Sequence, residues 1–474
     1  MKTKLMTMLL ALGAALGAFE AGAALAGNGT KTDPYRIGSY GDLVAFAAKV
    51  NGGETNACAV LTADITATGT GWVAIGNEHL WYAGVFDGQG YTIADLSNAS
   101  VSPSPDNAGL FGFVGPNGIV RNVNLVNVNI AAAEGEGTAS GGVVGCNAGG
   151  AIKNCSVSGV VRVGCYSGGI AGYNAQGMVE GCCNIGNVTG ICVGGIVSVN
   201  YIGTVENSYN TGNVSGKYAG GGIVCVSCGD HVVGGGVVKN CYNTGAVEAT
   251  DPDDGVAGGV VGQNGEGGSV ENCYNTGSVT GIHVGGVAGI NDSDSVAKAE
   301  LFHCYALDSV ASGVVIWWNE GGTEVVDVRM LSAAEFKNQA SFTGWDFKKV
   351  WKMGENAPKL RTGHDVITYD ENWAGGTKTK KELSDGDGIL ANAPADPKRE
   401  GWYFCGWFTE SEGGLKVTGE TVADGEATYY AHWGKPVATF AAGAVSSSES
   451  KTVKLTVYGG SLTGPSSVKV FMAY

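Results

Sequence analysis

Proline, histidine and basic residues are scarce in this sequence of 474 residues. There are 10 Pro and 6 His, and the 28 Lys and Arg are outnumbered by 44 Asp and Glu, which gives a formal net charge of -16. This balance argues against nucleic acid as a partner, because neutralising phosphates requires clustered basic side chains. After the N-terminal segment there is also no apolar run of about 20 residues. We therefore expect no transmembrane segment in the processed chain.

Glycine is abundant instead. The chain has 81 Gly, against a usual share of about 7 % of residues. The low proline content and the lack of a Gly-X-Y period exclude a collagen triple helix. Hydrophobic residues make up 44 % of the chain and charged residues 15 %. This composition indicates a chain that buries a core rather than a disordered one.

The first 26 residues have the pattern of a secretory signal peptide. Lys2 and Lys4 precede an apolar stretch that ends in the small residues of Ala24-Leu25-Ala26. This order is typical of a signal that is cleaved before Gly27. We therefore predict a secreted or cell-surface protein, with residues 1–26 removed.

Two short blocks recur along the middle of the chain. The first aligns as NCSVSG at 154, GCCNIG at 181, NSYNTG at 207, and NCYNTG at 240 and 272. The second is Gly-Gly-Val-Val-Gly or a close variant, and it begins at 141, 168, 194, 221, 258 and 285. One such copy cannot bury its own apolar face, so the repeats indicate units that stack on one another.

The pattern within each copy predicts strands. Branched or small residues alternate with turn formers, and neither block keeps a helical period over ten or more residues. Strands stacked in sequence order form a parallel β-helix, so the predicted fold class is all-β. The Gly-Gly pair would mark a corner with positive φ or close backbone approach. Another corner would carry a ladder of amides from Asn154, Asn207, Asn240 and Asn272.

The position after this Asn holds a small side chain in successive copies. Its occupants are Cys155, Cys182, Ser208, Cys241, Cys273 and Cys304. Because Cys exchanges with Ser there, we predict buried side chains stacked copy on copy, most of them free thiols. Cys225 and Cys228 form a C-x-x-C without a second ligand pair. This favours a local disulfide or two buried thiols over a zinc site.

Both ends of the repeat region carry signals for short capping helices. Ser39 is a predicted N-cap, with Gly52 as the helix stop. Ser332 and Glu335 match a capping box further on. The predicted buried face of the first helix comprises Leu43, Phe46, Ala47 and Val50. After the second helix, the residues predicted to cover the last rung are Trp345, Phe347 and Trp351.

Trp317 and Trp318 form an aromatic pair before the second helix. The sequence favours packing of this pair under the C-terminal cap. An exposed sugar-binding patch is the alternative.

The blocks N-C-Y-N-T-G-x-V and G-G-[IV]-[AV]-G resemble the GLUG repeat, which occurs in bacterial surface proteins and beside the catalytic domain of IgA-specific metalloendopeptidases. The resemblance covers about Asn107–Asn291. It implies a right-handed parallel β-helix, which with its caps would occupy residues 27–362. The peptidase domain itself has no counterpart here, since none of the six His lies in an H-E-x-x-H pattern.

A different composition begins near Gly363. The segments REGWYFCGWFTESEGGLKV and ATYYAHW resemble the internalin B-repeat, also called the Listeria-Bacteroides repeat. This resemblance implies a small β-grasp-like module at residues 363–433, followed by a linker and partial β module or tail at 434–474. The residues that carry it are Gly401, Trp402, Phe404, Gly406, Trp407, Gly413, Gly414, Thr428, Tyr430, Ala431 and Trp433.

The densest acidic stretch is TDPDDG, with Asp251, Asp253 and Asp254 in a copy that is longer than its neighbours. The sequence favours a solvated loop here, with a Ca²⁺ site as the weaker alternative and a catalytic role weaker still. We expect no cofactor.

These observations favour a non-catalytic function. We expect an adhesin or extracellular binding scaffold, a monomer, for glycan, matrix or another cell-surface partner, because a solenoid offers a long rigid flank. A carbohydrate-active β-helix enzyme, of the polysaccharide lyase or hydrolase kind, is the alternative, since a fold does not determine function. A passive surface stalk is a third.

Overall fold

The computed structural model describes residues 25–435, apart from 102–104, 134, 163, 231–233, 294–296, 321–322, 362–365, 383–392 and 419–426. The chain divides into two compact units, residues 1–363 and 364–474. The predicted signal peptide and the predicted tail lie outside the described residues, except for positions 25–26 and 434–435.

Three long parallel sheets, named A, B and C here, form the first unit. Each strand pairs with the equivalent strand of the next copy, in register, so the copies stack as rungs. Within the described residues sheet A has eleven strands. They are Tyr35–Ile37, Ala59–Leu61, Val85–Asp87, Ile119–Arg121, Ala151–Lys153, Met178–Glu180, Thr204–Glu206, Val237–Lys239, Ser269–Glu271, Glu300–Phe302 and Glu324–Val326.

Sheet B is split by corners into short strands. It comprises Ile65–Thr66, Thr92–Ala94, Asn107–Ala108, Asn124–Ala131, Ala139–Gly141, Ser156–Arg162, Tyr166–Gly168, Cys183–Asn184, Asn187–Gly194, Tyr209–Asn210, Val214–Gly221, Tyr242–Asn243, Val247–Ala249, Val256–Gly258, Tyr274–Asn275, Val279–Thr280, His283–Gly285, Tyr305–Leu307 and Arg329–Leu331. Sheet C comprises Phe111–Val114, Val144–Ala148, Ala171–Ala175, Val197–Tyr201, Val224–Cys228, Val261–Asn264, Ala288–Asn291 and Ile316–Asn319. The predicted parallel β-helix is therefore confirmed, while its right hand stays a prediction.

The core runs through the centre of the stack. From Val85–Asp87 to Glu300–Phe302, the middle residue of each sheet A strand points inward and is fully buried, for example Val179, Val205 and Val238. The predicted Cys position is also confirmed as buried: Cys273, for instance, is 0 % exposed, and its Sγ lies 3.2 Å from the carbonyl oxygen of Glu271. All thirteen cysteines lie within the described part of the chain as free thiols.

The predicted amide ladder is confirmed for Asn207, Asn240 and Asn272, whereas Asn154 bonds to Asn122 because Gly181 occupies the rung between Asn154 and Asn207. Asn154, Asn207, Asn240 and Asn272 all have φ near 50°. Asn240 donates to Asn207 at 3.2 Å and Asn272 donates to Asn240 at 3.4 Å. Asn tolerates this left-handed conformation better than most residues, which explains its choice at this corner.

Two further amide ladders lie deeper and were not predicted. In one, Asn184, Asn210, Asn243 and Asn275 are fully buried and joined by Nδ2 to Oδ1 bonds of 2.8 Å. Each Oδ1 also accepts from the backbone N–H two residues on, as between Asn243 and Gly245. The other ladder joins Asn near the end of the sheet C strands, namely Asn147 to Asn174 to Asn200 and Asn264 to Asn291 to Asn319, all of them buried except Asn319.

The Gly-Gly pairs mark corners where the backbone comes close. A Cβ on Gly194 would lie 1.8 Å from the carbonyl oxygen of Val197, and one on Gly195 would lie 2.0 Å from the carbonyl oxygen of Gly222. No residue that carries a Cβ fits such distances, so only glycine is possible here. Close approach, rather than positive φ, is thus the reason for this pair.

A single helix covers the first rungs. It spans Tyr40–Asn51, with Ser39 as N-cap accepting from the backbone N–H of Asp42 and Gly52 as C-cap. The buried side chains are the four predicted ones, Leu43, Phe46, Ala47 and Val50. The N-terminal cap is therefore confirmed in its ends and in its face.

The C-terminal cap differs from the prediction in where it packs. The capping box of Ser332 and Glu335 is present at the helix Ala333–Phe336, and a 3₁₀ helix, Gln339–Ser341, and a hairpin of Trp351–Met353 with Pro358–Leu360 follow. These elements lie along the side of several rungs instead of over the last one. The reason is a stack of outward tyrosines, Tyr209, Tyr242 and Tyr274, spaced 4.9 and 5.1 Å apart. Contacts to this stack come from Phe336, Trp345 and Trp351.

The second unit is a small sheet. Its strands are Val366–Asp370, Lys378–Glu382, Tyr403–Phe408 and Ala427–Gly434. Val366–Asp370 pairs antiparallel with Lys378–Glu382 and parallel with Ala427–Gly434, which pairs antiparallel with Tyr403–Phe408. The buried side chains include Ile367, Tyr369, Trp407 and Tyr429. This arrangement agrees with the predicted small β module.

The buried ladder of Asn184, Asn210, Asn243 and Asn275 predicts a large loss of stability in the variant Asn243→Ala. The substitution removes the acceptor of Asn210 and of the Gly245 N–H, so two buried donors lose their partners. We expect a loss of about 3 kcal/mol in the free energy of unfolding, measured by urea denaturation followed by circular dichroism. Asn187→Ala, on an exposed sheet B position, is the control and should change little. Equal effects of the two variants would contradict a stabilising role for the ladder.

Candidate binding surface

A column of uncharged side chains runs along the outer face of sheet C. In register order it comprises Phe113, Cys146, Tyr173, Val199, Val226, Gln263, Ile290 and Trp318. We call it the sheet C strip. The residue directly after the strip position is the buried Asn of the ladder in most copies, as at Asn147 after Cys146. Because successive side chains of a strand point to opposite faces, the strip lies on the outer face of the sheet, although Val199 is buried there.

At its N-terminal end the strip borders a cleft. Trp81 stacks on Phe113 with ring centroids 6.2 Å apart and an interplanar angle of 7°. The cleft beside this stack has a volume of about 410 Å³ and is lined by Phe113 together with Asn77, Glu78 and Asp106. Trp81 is 43 % exposed, and its Nε1 donates to the carbonyl oxygen of Glu78 at 2.9 Å, which fixes the ring. Phe113 thus joins the aromatic stack to a cleft that carboxylate and amide groups also line, whereas Trp81 itself is not a lining residue.

At the other end the strip finishes in exposed aromatics. Trp317 is 39 % and Trp318 is 53 % exposed, and the ring of His283 lies 3.8 Å from that of Trp317. The favoured interpretation of these two Trp as packed under the C-terminal cap is therefore wrong. The cap rests on the tyrosines of sheet B, whereas Trp317 and Trp318 lie on the last strand of sheet C.

The outer face of sheet A is charged instead. Lys153 pairs with Glu180, and Lys239 pairs with Glu271 at 2.7 Å. Glu206 lies between Glu180 and Lys239 in register. Burial, with the negative charge of Glu180, raises the pKa of Glu206 against the opposing effect of Lys153 and Lys239.

The acidic candidates do not gather around a common point. The Oδ1 of Asp251 accepts from the backbone N–H groups of Asp253 and Asp254, both at 3.1 Å, and so caps a turn. Asp253 and Asp254 are exposed. In the described ranges no group of three His, Cys, Asp or Glu side chains is arranged to hold a metal ion. The calcium site stays a prediction, with no support from this geometry.

The two cysteines of the C-x-x-C motif lie on one strand but differ in burial. Cys225 and Cys228 lie on Val224–Cys228, where Cys225 is fully buried and Cys228 is partly exposed. Of the two predicted alternatives the local disulfide is absent: both cysteines are free thiols, of which only Cys225 is buried. The thiol that Cys225 contacts is Cys192 of the preceding rung. Adjacency in sequence was therefore a poor guide to which thiols meet.

Sequence reasoning missed the sheet C strip, although a signal was present. The residue directly after each second block is uncharged in every copy, from Cys146 and Tyr173 to Ile290. No comparable signal placed Trp81 beside Phe113, since Trp81 lies outside the repeat blocks.

Comparison with known proteins identifies both repeat types. Residues 136–164 and 254–280 match the GLUG motif, and residues 366–432 match the Listeria-Bacteroides repeat domain. The chain carries GLUG repeats and a Listeria-Bacteroides repeat module. Both resemblances inferred from the sequence are confirmed, and such repeats fit a surface protein without a catalytic role.

The similarity to whole proteins is low. Halomucin from Haloquadratum walsbyi is 32 % identical over 146 residues, which are 29 % of this chain and 2 % of halomucin. The solved structure of an immunoglobulin A1 protease candidate from Bacteroides ovatus gives a TM-score of 0.48 at 23 % identity, over 70 % of this chain and 94 % of that one. An IgA1 protease structure gives 0.37 at 15 % identity, over 62 % and 21 %. The architecture described above rests on the strand pairing, not on these likenesses.

Within the part of the chain that the structure describes, none of the helices is long and apolar enough to span a membrane.

The position of Glu206 generates a prediction for Glu206→Gln. A raised pKa means that the folded state favours the protonated carboxyl, so this contribution to stability is complete below the unfolded pKa and is lost as the pH rises through the folded one. Gln stays uncharged, and Glu180 then has no like charge opposite it. We expect the variant to be more stable at pH 7 by about 0.5 kcal/mol, with the difference shrinking on acidification.

Urea unfolding at several pH values measures this effect. Glu355→Gln, in an exposed turn, is the matched control. A variant no more stable than wild type at pH 7 would show that the ion pairs of Lys153 and Lys239 outweigh the repulsion.

Proposed function

We propose that this protein is a non-catalytic secreted or cell-surface binding scaffold, an adhesin, and that the cleft beside Trp81 and Phe113 holds a neutral glycan. The observation that carries the proposal is the parallel Trp81–Phe113 stack at the edge of the cleft. Ligand sites combine apolar walls with a few polar groups that fix orientation. This cleft has both.

The chemistry of the cleft supports a sugar as the ligand. The flat ring of Phe113, on which Trp81 stacks, offers an apolar contact at a small entropic cost, because aromatic side chains have few rotatable bonds. Glu78, Asp106 and Asn77 supply acceptors and donors for hydroxyl groups. Carboxylates in the cleft and the net charge of -16 disfavour anionic polysaccharides. A neutral glycan has hydroxyl groups for these donors and acceptors and carries no negative charge, so it fits the cleft.

A carbohydrate-active enzyme is the second candidate function, and one observation favours it. Glu180 and Glu206 lie on adjacent rungs with Lys153 and Lys239 on either side, and paired carboxylates are what glycoside hydrolysis requires. Against this, both Lys are engaged in ion pairs, and the cleft that borders the aromatic stack is lined by other residues. We therefore favour binding over turnover.

Trp81→Ala tests the binding proposal. The full chain is screened on an array of neutral and anionic glycans, and the affinity for the best neutral glycan is then measured by isothermal titration calorimetry. We expect Trp81→Ala to weaken binding at least about tenfold, since it removes the ring that stacks on Phe113 at the edge of the cleft. Trp318→Ala, at the far end of the strip, should bind as wild type. Circular dichroism checks that both variants fold.

The other outcomes separate the alternatives. Loss of affinity in Trp318→Ala alone would move the site to the C-terminal end of the strip. Oligosaccharide release from the bound glycan, abolished by Glu206→Gln, would establish the enzyme. Binding to none of the glycans would overturn the proposed ligand and leave a stalk or a protein-binding scaffold.

A further inference from the structure

Two cysteines depart from the repeat pattern at positions where other copies avoid them. Cys192 lies two residues before its Gly-Gly pair, and Cys225 is the last residue of the next second block. The residues equivalent to Cys192, in register, are Ala139, Tyr166, Ala219, Val256 and His283. The residues equivalent to Cys225 are Gly145, Gly172, Ser198, Gly262 and Gly289.

These two positions meet across neighbouring rungs. A Cβ on Gly172 would lie 2.8 Å from the Cβ of Ala139, and one on Gly289 would lie 2.6 Å from Cγ1 of Val256. The side chain of Cys225 therefore faces that of Cys192, and the two thiols are hydrogen bonded. Disulfides need Cβ atoms about 3.5–4.5 Å apart, and the equivalent positions Gly172 and Ala139 approach more closely than this.

The two thiols differ in exposure and acidity. Cys225 is fully buried, and its hydrogen bond to Cys192, together with burial, raises its pKa. Cys192 is partly exposed, and the same hydrogen bond lowers its pKa although burial opposes this. The thiolate is the reactive form of cysteine. Cys192 is thus the thiol that reagents reach first, with Cys225 directly behind it.

We propose that Cys192 and Cys225 are an oxidisable pair that forms a disulfide between adjacent rungs. The oxidant is a low-molecular-weight disulfide. The Cys192 thiolate attacks one of its sulfurs, which forms a mixed disulfide and releases one small thiolate. Cys225 then loses its proton and attacks Sγ of Cys192, which releases the second small thiol. Two protein thiols are oxidised and one small disulfide is reduced to two thiols.

The bond would be a covalent link between rungs that are otherwise joined by hydrogen bonds and packing. The other close thiols are less suited to exchange. Cys241, Cys273 and Cys304 are all fully buried in the core column, without an exposed member to react first. The pair on the outer corner is accordingly the expected site of reaction.

Thiol counting and peptide mapping test the proposal. The purified, fully reduced chain is incubated with glutathione disulfide under native conditions, denatured with an alkylating agent present, digested and analysed by mass spectrometry. We expect two of the thirteen thiols to be lost and a cross-linked peptide to contain Cys192 and Cys225. Thirteen alkylated cysteines, or a link from Cys192 to Cys165, would overturn it.

Single variants separate the two steps. Cys225→Ser should keep glutathione on Cys192 as a stable mixed disulfide, because the second attack is lost. Cys192→Ser should leave Cys225 unmodified, since no exposed thiol leads to it. Cys165→Ser should form the Cys192–Cys225 link as wild type does. Glutathione on Cys225 in the Cys192→Ser variant would contradict the proposed order of attack.

Discussion

Asn184, Asn210, Asn243 and Asn275 lie directly above one another, and their amide bonds exist only while the rungs stay in register. Each amide bonds upward to the next rung and sideways to its own turn, so a slip of one residue would strand several buried donors at once. The stacking of the hydrophobic columns and the position of every corner depend on the same alignment. Register is therefore the quantity that this sequence specifies most strongly.

Because the inside is fixed in this way, the three outer faces are free to differ. Sheet A carries alternating ion pairs, as between Lys239 and Glu271. Sheet B carries stacked tyrosines that dock the C-terminal cap. Sheet C carries no charge along its strip. One repeat thus supports an ionic face, a packed face and a face suited to recognition without altering its core.

The sequence predicted what the repeats and local signals encode. Recurring blocks predicted the solenoid, Ser39 and Gly52 bounded the first helix, and the Asn154 column was placed at its corner. Contacts between segments distant in sequence escaped prediction. Trp351 meets Tyr242 through packing that no spacing records, and Trp81 reaches Phe113 only once the rungs are stacked. The inner amide ladders were missed because a buried Asn and a turn Asn look alike in the sequence.

The loop that contains Asp251 shows how this scaffold accommodates change. Ser215 and Ala219 are four positions apart, whereas their partners Glu248 and Val256 are eight apart, yet the pairs on both sides are in register. The extra residues protrude from the stack as a capped turn. Lengthening a loop costs little additional closure entropy. Insertions at a corner are thus local events. During evolution the surface of one rung can therefore change while the rest of the scaffold keeps its structure.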